Sequence, residues 1–434
     1  MKLHIDKAIY GGFGLGRVGD ERDPLFGKTV FVPFTLPGES VEIHIAEDKR
    51  SYATGGLDSI LEASPARTSP PCPYFENCGG CHYQHSNYEN QVQMKRSILG
   101  EALSRARLKN LPEIAVLAAE PWAYRNRIRL LVQRQPEFAL CYRRGGSHAT
   151  VAVSGCSIAA PLLQRAIEVI TDSGSELGLA DLCEEIELFT NSTCDKLLLS
   201  AHSLNSPRNG AELLEKVCSG LATTMPELSG AALFAHGDDE NHGQVLARWG
   251  EPSLKYHAVG HDYRVSLGSF FQVNRFLVDP LAKLVTEGRR GKLAWDLYSG
   301  VGLFALRLTA SFEKVFAVEF AASSWADLVF NLQGTEHRTA RMPTRDFLRQ
   351  QTRSKIPQPD LVIVDPPRTG LGDEVCSLLA RVAPREIVYV SCDPATLSRD
   401  LNALIQSGYY FKSIHLVDLF PQTFHMESVA VLTC

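Results

Sequence analysis

The C-terminal part of the chain repeats one pattern, apolar strand, turn and helix, and breaks it once at the end. The apolar runs are "KLAWDL", "KVFAVE", "DLVIVD", "EIVYVS" and "KSIHLVDLF", with helical stretches between most of them, and "ESVAVLTC" comes last. Such alternation predicts a parallel, doubly wound α/β sheet. The last two runs are separated only by "PQTFHME", too short for a parallel crossover, so the final strand must run antiparallel. If "KSIHLVDLF" is parallel to the others, it ends at the carboxyl edge and its partner begins there. Glu427 then shares an edge with Cys392, Asp365, Glu319 and the turn after Asp296, where open α/β sheets bind ligands. The expected fold is a Rossmann-like, doubly wound domain with a seven-stranded sheet over 266–434, a small β-barrel over 1–62 and a mixed α+β central domain over 63–265.

The front of the chain supports that division. Short strands broken by glycine and proline, "HIDKAIYGGFGLGRV", "KTVFVPFTLPGESVEIHIAED" and "SYATGGLDSILEAS", suggest a barrel. "SPARTSPPCP" marks a boundary, helical signals follow at about 86–108, and strands such as "KLLLSAHS" and "AALFAHG" lie in the mixed region beyond. No apolar run approaches the ~18 residues of a membrane helix. The start, "MKLHIDKAIYGGFG", has no h-region. A cytoplasmic monomer without membrane contact is the expectation, and its 11 cysteines then read as ligands, nucleophiles or core residues rather than disulfides.

Net charge is −5, yet 11 Lys/Arg face 4 Asp/Glu between Met94 and Arg144. In "YRNRIRLLVQR", Arg125, Arg127 and Arg129 would share one face of a strand, a phosphate-binding stripe set against the alternative of a solvated charged face. Residues 1–62 carry 7 Lys/Arg and 10 Asp/Glu, so this region cannot hold nucleic acid by bulk charge. Tyr10, Phe13 and Tyr52 there could stack on splayed bases or pack in the barrel.

Three motifs carry chemistry. "WDLYSGVGLFAL" puts Gly300 and Gly302 in a strand-to-helix turn, and Glu319 ends the next strand, where a carboxylate can accept bonds from ribose hydroxyls. This suits a dinucleotide or S-adenosylmethionine. In "LVIVDPPRTGL", Asp365 ends a strand and two prolines stiffen the turn after it. In "IVYVSCDPATLSRDL", Cys392 stands where the sheet stops. A thiolate adding to uracil C6 makes C5 a nucleophile toward a sulfonium methyl; a base then takes the C5 proton and the thiol leaves. One cysteine, one carboxylate and one methyl donor suffice.

With "FFQVN" (270–274), "DLYSGVGLF" (296–304), "DPPRTGL" (365–371), "SCDPATLSRDL" (391–401) and "HMESVAVL" (425–432), the chain resembles the RNA uracil-5-methyltransferases along essentially its whole length. The resemblance implies Cys392 as nucleophile and Glu427 as base, with Gln272, Tyr298, Glu319 and Asp365 on the methyl donor, S-adenosylmethionine, and Asp346 toward its adenine end. It implies an RNA substrate that must be flipped out of its stack, ribosomal RNA of the large subunit before the transfer-RNA T-loop. Ser299 stands where many members have Cys, and Leu303 where the family commonly has Asn. Two other readings remain beside it: a nicotinamide oxidoreductase on the same glycine turn, and a non-catalytic RNA-binding protein.

"CPYFENCGGCHYQH" supplies Cys72, Cys78 and Cys81, a spacing that points to metal, with Cys156 as the best fourth ligand. Four thiolates suit zinc or an iron-sulfur cluster equally. The resemblance favours a [4Fe-4S] cluster on Cys72, Cys78, Cys81 and Cys156, and a TRAM domain, a small RNA-binding barrel, over residues 1–62.

Overall fold

The computed structural model describes residues 1–106, 108, 111–235, 243–354 and 357–434. The ends of the expected 86–108 helix and of the "AALFAHG" strand lie partly outside them. The chain forms two compact units. One comprises Met1–Arg105, Arg143–Val151 and Phe420–Met426, the other Ala106–Tyr142, Ala152–Leu419 and Glu427–Cys434.

In the first unit, six strands form one sheet in the order Lys2–His4, Ser40–Asp48, Tyr52–Glu62, Thr29–Pro33, Phe13–Arg17 and Lys7–Ile9. Alternate residues point inward, as the period of two requires. Val30, Val32, Val41, Ile43 and Ala53 pack with Leu3, Ile5 and Val18 in the core. Glu39 is fully buried at the barrel's end and accepts bonds from Leu36 N, Ser64 N and the Arg67 guanidinium. Burial alone would raise its carboxyl, but those donors hold it below the usual carboxylate range. The helix Tyr88–Arg105 completes the part of this unit used below.

The second unit contains two sheets. One runs Ala139–Arg143, Arg127–Gln133, Glu185–Thr190, Leu197–Ser203, Leu228–Ala235 and Val245–Gly250. Here the arginine stripe is corrected. Arg125 lies before the strand and bridges Ala159 and Asn274 through its backbone. Arg127 is mostly covered, 3.2 Å from Glu187 and stacked over Phe189, and Arg129 sits 3.1 Å from Glu185. Acids on the adjoining strand answer the two strand arginines, which the one-strand pattern could not show.

The other sheet has the order Arg338–Arg341, Phe312–Glu319, Gly291–Leu297, Leu361–Val364, Glu386–Ser391, Glu427–Thr433, Tyr410–Val417 and Ile114–Leu117. Its central strands are buried on both faces, which is why they read as unbroken Val/Ile/Leu runs. Glu427–Thr433 is antiparallel to both neighbours, as its short connection demands. The seven expected strands are joined by an eighth, Ile114–Leu117, parallel to Tyr410–Val417. The chain leaves Gly291–Leu297 toward one edge and returns at Leu361–Val364, so the topological switch lies between Leu297 and Val364, at the carboxyl edge.

Replacing Glu39 by Gln should lower stability by about 2–4 kcal/mol in urea unfolding. Because the folded carboxyl is depressed, that loss should be full above the ordinary carboxylate range and fade as pH falls through the folded value. A loss that stays constant into strong acid would contradict the buried ion pair.

Candidate active site

At the switch point the chain passes from Leu297 into a turn. Tyr298 adopts φ +63°, uncommon for a residue with a Cβ, and Gly300 and Gly302 have φ +54° and +92°. A Cβ on Gly302 would strike Leu328, whereas Gly300 faces open space. Ser299 Oγ donates to Asp296 O at 2.6 Å, locking the turn. The Glu319 carboxylate accepts from Gly300 N at 2.8 Å and Ala321 N at 2.7 Å, so its direction is set by backbone. A small cleft opens here, lined by Gln272, Tyr298, Gly300, Val301, Leu303 and Asp365.

Gln272 is placed from the side by residues that the sequence reading left out. Buried Asp327 accepts from Ser266 N, Ser266 Oγ and Ser269 Oγ at 2.7 Å each and pairs with Arg264. Asn126 Nδ2 donates to Gln272 O at 2.9 Å, and Asn274 Nδ2 to Leu419 O at 3.1 Å. Gln272 Nε2 then comes within 3.5 Å of Asp365 Oδ2. Asp346 lies apart from this group, half exposed on the helix Thr344–Arg353 between Arg345 and Arg349. The Tyr298 hydroxyl bonds Thr344 at the start of that helix.

"SCDP" is a strand end, a one-residue step and a helix cap. Ser391 closes its strand, and Asp393 accepts from Ala395 N and Thr396 N at 2.9 Å each, with Pro394 as first residue of the helix Pro394–Gln406. Cys392 is the residue between. Ser391 pairs with Ser428 across the ladder, so one step further the register sets Cys392 opposite Glu427. Residues opposed in antiparallel strands lie about 5 Å apart. Buried Asp400 ties this helix to the "DPPRTGL" turn, accepting from Leu371 N at 2.7 Å and Tyr389 OH at 2.8 Å while pairing with Arg399. Thr396 Oγ1 donates to Arg368 O at 3.1 Å. No local pattern marks Asp327, Asp400 or Asn126, because their partners are far away in sequence.

The electrostatics of the group follow from its burial. Burial pushes the Cys392 thiol up to about 12, the charges of Glu427 and Asp365 adding to the shift and Arg368 opposing it. Burial and the Asp365 charge hold Glu427 well above the carboxylate range. Asp365 is raised by burial and by Glu319, Asp296 by burial and by both other acids, and Glu319 by burial against its backbone bonds. Acids at this density favour a cationic ligand. Among the described residues, Glu427 Oε1 has no hydrogen-bond partner.

Residues 253–434 match the family described as tRNA (Uracil-5-)-methyltransferase, and residues 4–57 match the TRAM domain. A curated relative from Aquifex aeolicus, an RNA methyltransferase without assigned target, is 32% identical over 100% of this chain and 98% of its own length. The chain belongs to the RNA uracil-5-methyltransferase family. This methyltransferase is also 30% identical to the 23S rRNA (uracil(1939)-C(5))-methyltransferase RlmD of Shewanella amazonensis, over 93% of this chain and 90% of that one. Its fold is that of the Pyrococcus abyssi tRNA (uracil-54, C5)-methyltransferase solved with S-adenosyl-L-homocysteine, at TM-score 0.75 and 23% identity, with 100% of both chains covered.

The methyltransferase's cysteines divide. None is in a disulfide; Cys141, Cys183, Cys218 and Cys376 are buried, Cys194 is partly so and Cys434 is exposed. Cys72, Cys78 and Cys81 are partly exposed, and Gly80 N donates to Cys78 Sγ at 3.4 Å. Cys156 N is held by Gln164 Oε1 at 2.7 Å. Among the described residues no group of three or more His, Cys, Asp or Glu is arranged to hold a metal ion, so as placed these four thiols do not make a cluster site. No described helix is long and apolar enough to cross a membrane.

In the absence of donor, carboxymethylation of Cys392, followed by mass spectrometry of its peptide, should climb about tenfold per pH unit from about 7 to 10 without levelling. A plateau near pH 8 would mean an already acidic thiol. The cationic donor should speed the reaction at fixed pH, and S-adenosylhomocysteine, which lacks the sulfonium charge, should do so less.

Proposed function

We propose that this enzyme methylates uridine C5 in large-subunit ribosomal RNA, using Cys392 as nucleophile, Glu427 as base and S-adenosylmethionine as donor. One observation carries the reading: the register that sets Cys392 opposite Glu427 on the edge where Asp365 and the Gly300 turn meet. Gln272, Tyr298, Glu319 and Asp365 take the donor, with Glu319 on the ribose and Asp365 near the cationic end; Asp346 is assigned the adenine side. The large-subunit target is supported by the 23S rRNA relatives, and the transfer-RNA T-loop is the second choice.

Each step balances. The sulfonium lowers the cost of ionising its acidic surroundings, and the Cys392 thiolate adds to C6. C5 attacks the donor methyl, breaking the S–CH₃ bond and leaving S-adenosylhomocysteine. Glu427 takes the C5 proton, the C5–C6 double bond re-forms and the C6–S bond breaks, returning the thiolate. The base must be flipped out, because the thiolate approaches the ring face that a stacked neighbour covers. The TRAM domain and the segment that follows it contribute to holding the RNA, and the working division is 1–62, 63–265 and 266–434, in a cytoplasmic monomer. Within the barrel unit Tyr10 packs edge-on against Phe424 and Tyr52 against Phe31, leaving parts of these rings as contact surface.

Cys392→Ala should abolish methyl transfer and RNA adduct formation. Glu427→Gln should still form, and accumulate, a denaturation-resistant adduct through Cys392, while lowering turnover by about 10²–10⁴-fold. Adduct formation by the Cys392→Ala protein overturns the assignment. Mapping 5-methyluridine in RNA from cells lacking the protein identifies the target.

A [4Fe-4S] cluster on Cys72, Cys78, Cys81 and Cys156 is supported by the cysteine spacing and the resemblance, and no catalytic step is assigned to it. Protein purified without oxygen should contain about four irons per chain, lost in Cys78→Ser. Stoichiometric zinc, or no metal at all, rejects the cluster.

A further inference from the structure

The chain leaves the second unit after Leu419, spends residues 420–426 in the first unit, and re-enters the second at Glu427. Inside the first unit this segment is gripped by buried polar side chains. The helix Tyr88–Arg105 presents Gln91 and Lys95, four residues apart and so on one face, both essentially inaccessible to solvent. Gln91 Nε2 lies 2.9 Å from Gln422 Oε1, and Gln422 N donates back to Gln91 Oε1 at 3.0 Å. The same Nε2 is 3.0 Å from Tyr83 O and 2.9 Å from Ser86 O. Gln422 O accepts from His82 N at 2.7 Å and Tyr83 N at 3.0 Å. Lys95 Nζ donates to Phe420 O at 2.9 Å. Gln422 is held at φ +68°, a conformation that costs a residue with a Cβ and persists only where its surroundings over-determine it. Phe424 and His425 add ring contacts, Phe424 with Tyr10 and His82 at centroid distances of 5.3 and 4.6 Å.

A buried polar network of this kind specifies one geometry rather than adding bulk stability. What it specifies here is the backbone of the segment that ends one residue before the base. We infer that Gln91, Lys95 and Gln422 are positioning residues for proton abstraction: by fixing residues 420–426 they set where Glu427 starts its strand, and so where its carboxylate stands relative to the C5 proton. The inference rests on the assignment of Glu427 as base and deepens it. The donor cleft and Cys392 are built from other segments, so donor binding, thiol addition and methyl transfer do not depend on the clamp. Its loosening therefore falls on the last chemical step. The two residues that donate to Gln422 O directly follow Cys81, so the base is also tied through this clamp to the cysteine run.

The test uses the full-length enzyme, radiolabelled S-adenosylmethionine and large-subunit ribosomal RNA transcribed in vitro, with hydrogen or deuterium at uridine C5. Gln91→Ala and Gln422→Ala should lower turnover about 10- to 100-fold, the range expected when a catalytic group is misplaced by about 1 Å. Both should accumulate the methylated covalent adduct that Glu427→Gln accumulates, become slower still with deuterium at C5, and bind donor within about twofold of wild type. Lys95→Met replaces a buried charge by an apolar chain of similar length, a change that proteins often tolerate, and should show the same signature if either glutamine variant fails to fold. A fall in turnover with no adduct and no added deuterium effect means a structural role only and overturns the inference, as does wild-type turnover in all three. Wild-type enzyme that forms no 5-methyluridine and no Cys392 adduct on this RNA removes the underlying assignment instead, and the clamp's role with it.

Discussion

The antiparallel pairing of Glu386–Ser391 with Glu427–Thr433 is the constraint on which the site depends. It is a backbone ladder between two strands buried on almost every residue, so a slip of one position would turn Val388, Val390, Val429 and Val431 to the wrong face. Hydrophobic burial thereby enforces the register, and the register sets a thiol against a carboxylate at the ladder's end. Asp393 and Asp400 hold the next turn of chain in place from either side. Cys392 needs no specialised loop; it occupies the single residue between a strand that must stop and a helix that must be capped.

Around that pair the structure assembles negative potential and little to neutralise it. Asp296, Glu319, Asp365 and Glu427 are each buried enough to resist ionisation, and each carboxylate that does ionise makes the next harder to charge. The empty site is thus close to electrically silent. A donor carrying fixed positive charge changes this, because every proton released from the acids is then compensated by a cation already in place. Binding the donor and activating the nucleophile become one electrostatic event.

Much of this was legible in the chain. The order of the apolar runs, the seven-residue connection before "ESVAVLTC" and the Cys-Asp-Pro step were enough to place Cys392, Glu427, Asp365 and the glycine turn on one edge, since each follows from local periodicity or cap chemistry. The short strand Ile114–Leu117 was not legible, being half exposed and lacking alternation. The arginine stripe was misread because its partners, Glu185 and Glu187, lie on a strand more than fifty residues later, as the sequence rows show. The same distance hid Asp327, Asp400 and Asn126. The connection before Glu427 read as a plain turn, and only Gln91 and Lys95, over 300 positions away (|i−j| of 331 and 325), reveal that it is held elsewhere.

The acid-lined cleft also bears on how a cycle ends. Once the methyl group has moved to carbon, the donor's sulfur is an uncharged thioether, and the carboxylates beside it lose the counter-charge that made their ionised state tolerable. They must then recapture protons or repel one another across a dry cavity, and either course loosens the grip on the spent nucleoside. The crowding of Asp296, Glu319 and Asp365 therefore gives the reaction a direction: fresh donor is drawn in by the charge it carries, and by-product is let go because that charge has been spent.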